Sequence, residues 1–361
     1  MIAITPKPPY YAEIFSTIRT NVDEGYNEMV EKMEALAKLQ NGYLGIELIR
    51  ILKVHPKVNI KHIFKRDTLI ENEFPHLLDT SLNSTLTSNI EDFKKLDCVF
   101  LSLPHGHSYD YIKELLGEVK IIDLSADSRI SNKSLYSQYY NNEMNEDIQK
   151  QFTYGFVEKN KEVIKTSNNI ANPGCFALCA QLSILPFKDI ATSAFINAVT
   201  GSSGGGKDPS IKNHHSIRSK NMFSYGINSH RHLAEIYQSF PDLEGNLSFI
   251  PTSGPFVRGI FLTAELTLKS DFSLEELKHK FQNTFSNESF IRYQENVNLV
   301  NTSGSNYCDI SIHQNSNKKI IVQASLDNLM KGASGNAIEC FNLMHNLPYN
   351  EGVGSLMPFY L

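Results

Sequence analysis

No stretch of this chain holds the ~18 consecutive apolar residues that a bilayer-spanning helix needs. Its start, with Pro6, Lys7, Pro8 and Pro9, has no apolar core of a secretory signal. Membrane insertion and export are therefore not expected. Cysteines are few: five, an odd number and widely spaced. That argues against a disulfide framework and for a reducing compartment, the cytoplasm. An excess of positive charge is also missing. With a formal net charge of −5, nucleic acid is not an expected partner. There is no internal repeat and no long low-complexity tract. His214, His215, His230 and His232 fall in one region, but their spacing matches no tight ligand motif, so no metal is expected. What remains is an ordinary globular composition, 41% hydrophobic and 20% charged. At 361 residues the chain is long enough for two domains with sizeable cores.

Three stretches carry chemistry. In Asn172-Pro173-Gly174-Cys175, the Pro-Gly pair predicts a sharp turn, because proline fixes φ and glycine tolerates positive φ. Cys175 then opens a helix that continues from Phe176. Free N–H groups and the positive end of the helix dipole would face its sulfur, lower the thiol pKa and favour the nucleophilic thiolate. Cys179, one turn on, reads as core packing, and a free cysteine at 175 has the same bland alternative. In Ser229-His230-Arg231-His232-Leu233-Ala234-Glu235-Ile236, His232 and Glu235 are three apart and share a helix face. The carboxylate would hold the imidazole in one tautomer beside the thiol, for general acid–base work. A solvated, mixed-charge helix start has the same composition. In Gly201-Ser202-Ser203-Gly204-Gly205-Gly206-Lys207, a strand runs into glycines and a lysine, which suits an anion but equally an empty flexible loop.

The ordered set of these motifs resembles the N-acetyl-γ-glutamyl-phosphate reductases, the arginine-pathway branch of the semialdehyde dehydrogenase family. The resemblance continues in Leu101-Ser102-Leu103-Pro104-His105-Gly106 and Ile122-Asp123-Leu124-Ser125-Ala126-Asp127-Ser128-Arg129. It extends through Pro255-Phe256-Val257-Arg258-Gly259, Gly304-Ser305-Asn306-Tyr307-Cys308-Asp309 and Asp327-Asn328-Leu329-Met330-Lys331-Gly332-Ala333-Ser334-Gly335. It covers about residues 42–361. Ser128 stands where an aromatic is more usual, and Asn336 where glutamine is.

Residues 1–41 lie outside it. A strand is expected over 10–17 and a helix over 26–39, and residues about 5–45 resemble the start of an antibiotic-biosynthesis-monooxygenase-like α+β barrel, though only a fragment of one. The two resemblances meet at Gly42-Tyr43-Leu44-Gly45. Gly42 and Gly45 fit the second and third glycines of a dinucleotide turn. The first would fall at Leu39, and the usual preceding strand is missing. Weak cofactor binding is the expectation at this one place.

Beyond the junction, Val58–Phe64, Cys98–Leu103 and Val119–Leu124 read as buried parallel strands with ligands at their C-terminal ends. Lys65 and Arg66 would meet a ribose 2′-phosphate and so select NADP over NAD; two solvated basic residues is the other reading. After Cys175, strand candidates follow at 195–200, 247–251, 259–268, 308–313 and 319–325. A capping box at Ser273-Leu274-Glu275-Glu276 opens a helix through Phe281. This pattern suits an α+β domain on an antiparallel or mixed sheet.

The resemblance implies a fold of class α/β: a Rossmann-type NADP-binding domain over residues 42–171 and 332–361, and an α+β catalytic and dimerisation domain over 172–331. The last helix, from about Gly332 to Leu347, would return to the nucleotide domain. It implies reduction of N-acetyl-γ-glutamyl phosphate by NADPH through a thioester on Cys175, with His232 as proton shuttle and Glu235 as its orienting carboxylate. His230, Arg258, Lys207 and Asn172 would bind substrate. Gly42, Gly45, Lys65, Arg66, Pro104, His105, Gly106, Ser203, Gly204 and Asn328 would hold NADP. A homo-oligomer, dimer or tetramer, is expected. Three other readings stay open: an aspartyl-phosphate enzyme, against which the His-Arg-His pair argues; a reductase-like protein inactivated by its altered start; and a binding or assembly module that pairs its N-terminal strand between chains.

Overall fold

The structure is a computed structural model, and it describes residues 43–61, 63–64, 86–87, 90–103, 105–140, 143–206 and 210–358. The strand and helix expected within residues 1–41 lie outside the described residues, as do Gly42, Lys65, Arg66, Pro104 and Lys207.

Helix α1 (Tyr43–Val54) buries Leu48 and Ile51, one turn apart. Two residue pairs follow as a short parallel ladder, β1 (Ile63–Phe64) with β2 (Leu86–Thr87). The strand expected over 58–64 is thus limited, among described residues, to its last two positions. Then come β3 (Cys98–Leu101), α2 (Ser108–Leu115), β4 (Lys120–Asp123), α3 (Lys133–Tyr139), α4 (Glu146–Gln149), β5 (Thr153–Tyr154), α5 (Val157–Lys165) and β6 (Asn169–Ala171). Four of these strands form one fully parallel sheet in the order β3-β4-β6-β5. Its short apolar strands alternate with helices, the pattern that buries a parallel sheet on both faces. β5 and β6 were not legible, because their two or three residues sit in polar surroundings (Asn168, Asn169).

The second sheet is mixed, as expected, and larger. After α6 (Cys175–Ile184) come β7 (Ala191–Thr200), α7 (His215–Arg218), β8 (Phe223–Ser224), α8 (His232–Ser239), β9 (Leu247–Ser253), β10 (Ile260–Leu268), α9 (Leu274–Phe285), β11 (Ile291–Tyr293), β12 (Cys308–Ser316) and β13 (Lys319–Leu326). The seven strands run β11-β12-β13-β10-β7-β9-β8. β10 alternates buried and half-buried residues along its length, so one face packs inward. Ser273 and Glu276 form the expected capping box of α9, whose helix runs one turn beyond the expected Phe281.

Helix α6 has no polar face to give to solvent: residues 176–184 are all buried. It packs on β10, β13 and α8, and its Phe176, Leu178, Leu182 and Ile184 share one core with Ile196, Leu262 and Ala264 of the sheet. Four such side chains contribute about 6–12 kcal/mol of gross burial. The N-terminus of this rigid helix is therefore held firmly, and Cys175 is its first residue.

The last helix differs from expectation. A π-helical turn, Met330–Ser334, precedes α10 (Gly335–Met344). The widened turn brings Gly332 against Cys175, where a Cβ would lie 2.9 Å from the Cys175 Cβ. α10 packs against α5, and Ile338, Phe341 and Met344 share a core with Leu48, Ile51, Ile122 and Ile170. Lys331, fully buried, bridges Glu158 at 2.5 Å and Glu339 at 2.6 Å, so the turn is fixed from both sides. Arg258 joins α1 to the same region, pairing with Asp327 and with Glu47.

Candidate active site

The N-terminus of α6, the loop before α8 and the segment after β4 converge on one carboxylate. Glu235, fully buried in the first turn of α8, accepts from three directions. Arg129 Nη1 lies 3.2 Å from Oε1. The Tyr154 hydroxyl and the backbone N–H of Gly174 each donate to Oε2 at 2.8 Å. Gln181 of α6 donates to the Glu235 carbonyl at 2.9 Å. A buried carboxylate requires such satisfaction. Its effect is to fix the residue just before Cys175.

His232 starts α8, 7% exposed, with its Nε2 3.9 Å from Glu235 Oε1. That distance is too long for a hydrogen bond. The expectation that Glu235 orients His232 directly is thus corrected: the short contacts of the carboxylate go to Arg129, Tyr154 and Gly174. His232 is instead positioned by packing. Its ring meets that of His230 edge-on at 4.6 Å, and both meet Phe176. The His232 backbone N–H donates to Nδ1 of His230 at 3.2 Å. His232 Nδ1 is buried without a hydrogen-bond partner among the described residues.

Gly174 is required for space, not for a left-handed backbone. Its φ is −72°, which any residue adopts. A Cβ there would run into the His232 imidazole and would lie 2.7 Å from Arg129 Nη1. The positive-φ reading of the Pro-Gly pair is corrected accordingly.

The electrostatics also depart from expectation. Burial pushes the Cys175 thiol up to about 11, against the pull of Arg129 and the N–H of Phe176. Desolvation outweighs the helix terminus because α6 is enclosed on all sides. Burial also lowers His230 to about 4, with Arg231 adding to it. Burial lowers His232 well below the ordinary histidine value, followed by the charges of His230, Arg129 and Arg231. Burial thus favours the neutral forms of this thiol and of both imidazoles. Burial raises the other four thiols as well, Cys98 to about 12.

Asn172 is buried, donating to the Ala333 carbonyl at 3.1 Å and accepting from Asn336 at 2.8 Å, so it ties β6 to the π turn. Asn336 also donates to the Gly155 carbonyl at 2.8 Å. The guanidinium of Arg258 is engaged by Asp327 and Glu47. Ser203 and Asn328 meet at 3.0 Å, and Asn328 accepts from the Gly259 N–H at 2.7 Å. Gly204 lies in the tight turn after β7. His105 and Gly106, at the exit of β3, are held by Asp127: the His105 ring contacts its carboxylate, and the Gly106 N–H donates at 2.7 Å. Against the upward push of burial, His105, Ser108 and the N–H groups of Gly106 and Ser108 bring Asp127 down to about 2.

Sequence reasoning passed over Arg129, Tyr154 and Gln181 as functional. Only Arg129 left a signal, as the charged end of the loop after a parallel strand.

A dinucleotide fits the other end of this region. No acidic residue occupies the first turn of α1, so no carboxylate within that turn repels an anion at the helix start. A cavity of about 290 Å³ lies beside it, lined by Gly45, Leu48, Leu52, Ile60, Leu101 and Ser102 at the end of β3. Apolar walls with a few polar groups at the strand ends suit a nucleoside.

Fold and site together define a nucleotide-binding sheet joined to a mixed sheet that presents a cysteine. The sequence comparisons agree with this class. Residues 40–167 match the semialdehyde dehydrogenase NAD binding domain, and residues 175–328 the semialdehyde dehydrogenase dimerisation domain. Aspartate semialdehyde dehydrogenase II from Vibrio cholerae, solved with ASA, has the same fold. Its TM-score is 0.62 at 12% identity, over 84% of this chain and 96% of that one. Nearer in sequence are N-acetyl-gamma-glutamyl-phosphate reductases. That of Methanosarcina barkeri is 36% identical over 88% of this chain and 96% of its own length. That of Flavobacterium johnsoniae is 37% identical over 87% and 95%. The chain belongs to the N-acetyl-gamma-glutamyl-phosphate reductase family of semialdehyde dehydrogenases.

Proposed function

We propose that this protein reduces N-acetyl-γ-glutamyl phosphate to N-acetylglutamate semialdehyde, with release of phosphate and NADPH as reductant. The observation that carries the reading is the Glu235 hub, which fixes Gly174, Arg129 and Tyr154 around the one cysteine at a helix start. The names of the full-length relatives support the substrate.

The thiol proton of Cys175 passes to the neutral imidazole of His232 as the sulfur attacks the acyl carbon. The C–S bond forms, the C–O bond to phosphorus breaks, and inorganic phosphate leaves, giving a thioester on Cys175. Arg129, whose Nε is buried without a partner among the described residues, is placed to pair with the developing oxyanion. When bound, the nicotinamide cofactor supplies the hydride, two electrons, that takes the acyl group to the aldehyde level. His232 then controls the proton on the oxygen of the thiohemiacetal, and the C–S bond breaks to return the thiolate. Burial that favours the neutral form of both groups at rest keeps the thiol from idle side reactions, and the proton moves to His232 only as the sulfur attacks.

The start of α1 with Gly45, the cavity beside it, His105 and Gly106 would hold the cofactor, with Ser203, Gly204 and Asn328 toward the second sheet. NADP is assigned over NAD on Lys65 and Arg66. Residues 42–171 with 332–361 form the nucleotide unit in this reading, supported by the core that α10 shares with Leu48 and Ile122. Residues 172–331 form the catalytic and dimerisation unit. A homo-oligomer is supported by Phe195, half-exposed on β7 of the large sheet. Among the described residues no helix is long and apolar enough to cross a membrane. The test is NADPH-dependent turnover of the acyl phosphate, or the reverse reaction from semialdehyde and phosphate.

A further inference from the structure

Arg218, the last residue of α7, is 5% exposed. All three of its guanidinium nitrogens are buried without a hydrogen-bond partner among the described residues. An aromatic face, the Phe223 ring, lies 5.6 Å from the guanidinium carbon. Among the described residues no carboxylate pairs with it, and burial lowers its proton affinity. A buried charge left this way is costly, and a fold keeps one where a ligand supplies the counter-charge.

Its position relative to the thiol indicates which ligand. From Arg218 the contacts run through Phe223 to Tyr225, with ring centroids 6.3 Å apart. They continue from Tyr225 to His230 at 5.6 Å, and from His230 to His232 at 4.6 Å. Tyr225 feels the charges of both Cys175 and Arg218. The cation that acts on Cys175 is Arg129. The phosphate of an acyl phosphate leaves from the carbon bonded to sulfur, and so beside Arg129. The carboxylate of the same substrate is four C–C bonds away, about 5 Å, on the side away from the leaving group. A guanidinium is the donor fork that matches a carboxylate.

Building on the proposed reaction, we propose that Arg218 receives the substrate's carboxylate and so determines that this site takes an anionic acyl chain. The reverse reaction separates the two anions, because the carboxylate sits on the semialdehyde and phosphate is a distinct substrate. In the full-length protein, Arg218→Met is expected to raise KM for the semialdehyde by roughly 30-fold or more, the range for losing one partner of a desolvated charge pair. KM for phosphate should stay within about twofold. Arg218→Lys, which keeps charge and loses the fork, should fall between. Removing an uncompensated charge should also raise the Tm of ligand-free protein, while N-acetylglutamate alone should stabilise the wild type and not Arg218→Met. A rise in KM for phosphate instead would overturn the assignment to the carboxylate. A lower Tm with both KM values unchanged would overturn it too, because the guanidinium would then be paired structurally between subunits. If the wild type shows no turnover, stabilisation by N-acetylglutamate that depends on Arg218 would uphold the anion site while the proposed reaction fails. Equal stabilisation of both proteins would sink the site itself.

Discussion

Glu235→Gln is the perturbation that most directly probes how the site is held. The change is nearly isosteric, so packing in α8 is kept. The amide retains one acceptor oxygen and replaces the other with an NH2 donor. That donor must face either Arg129 Nη1, now 3.2 Å from Oε1, or the Tyr154 hydroxyl and Gly174 N–H, each 2.8 Å from Oε2. Either orientation sets donor against donor. In both, Arg129 is left buried at 8% exposure without its counter-charge, and where the NH2 faces it only the Leu124 carbonyl at 3.0 Å still accepts from it. Breaking a buried pair in this way costs about 3–5 kcal/mol. Loss of the charged hydrogen bond at Gly174, about 1.5–3 kcal/mol, also frees the residue that caps Cys175. If that cost is felt in the transition state, kcat falls on the order of 10- to 150-fold. Urea denaturation reads the first effect and steady-state turnover the second. Tyr154→Phe, which removes one neutral donor and no charge, should cost less on both scales. A Glu235→Gln protein with wild-type stability and kcat would refute the hub.

Cys175→Ser should remove nearly all turnover. Among the cysteines, Cys175 should be alkylated first, with a rate that keeps climbing as pH approaches about 11 instead of levelling near neutrality; mass spectrometry of iodoacetamide-treated protein at stepped pH gives the order and the profile. His232→Asn should lower kcat by roughly 10²–10⁴-fold, whereas His230→Ala should act mainly on KM; the reverse pattern would exchange their roles. Both imidazoles are harder to protonate in the fold than in the unfolded chain. The unfolded state therefore takes up protons first, and stability should fall as pH drops from the ordinary 6.5 through about 4. For His230 the loss is on the order of 3 kcal/mol, and His230→Phe should flatten that part of a stability–pH curve. Gly174→Ala should fold yet lose most activity, since its Cβ would displace His232 and Arg129; retention of full kcat would show that the pocket yields easily.

The long strands of the mixed sheet were legible because their apolar runs are bounded by turn chemistry, and α9 because its capping box is local. The N-terminal placement of Cys175 was legible for the same reason: Pro173-Gly174 marks the start of a helix in sequence. The state of that thiol was not. A helix terminus is a local feature, whereas the burial that dominates Cys175 comes from β10, β13, α8 and the π turn, all distant in sequence. The partner of Glu235 was misread likewise. Spacing three apart pointed to His232, but the carboxylate is claimed by Arg129 and Tyr154, 106 and 81 residues away. The π turn left no signal either: the buried Lys331 within it is held by Glu158, far off in sequence, as well as by Glu339.

The most direct measurement of the central claim is the reverse reaction, with purified full-length protein, N-acetylglutamate semialdehyde, inorganic phosphate and NADP⁺, following the appearance of NADPH. The account predicts NADPH formation that requires both the semialdehyde and phosphate, and that is lost in Cys175→Ser. No formation with the wild type, or formation that survives the loss of Cys175, would contradict it.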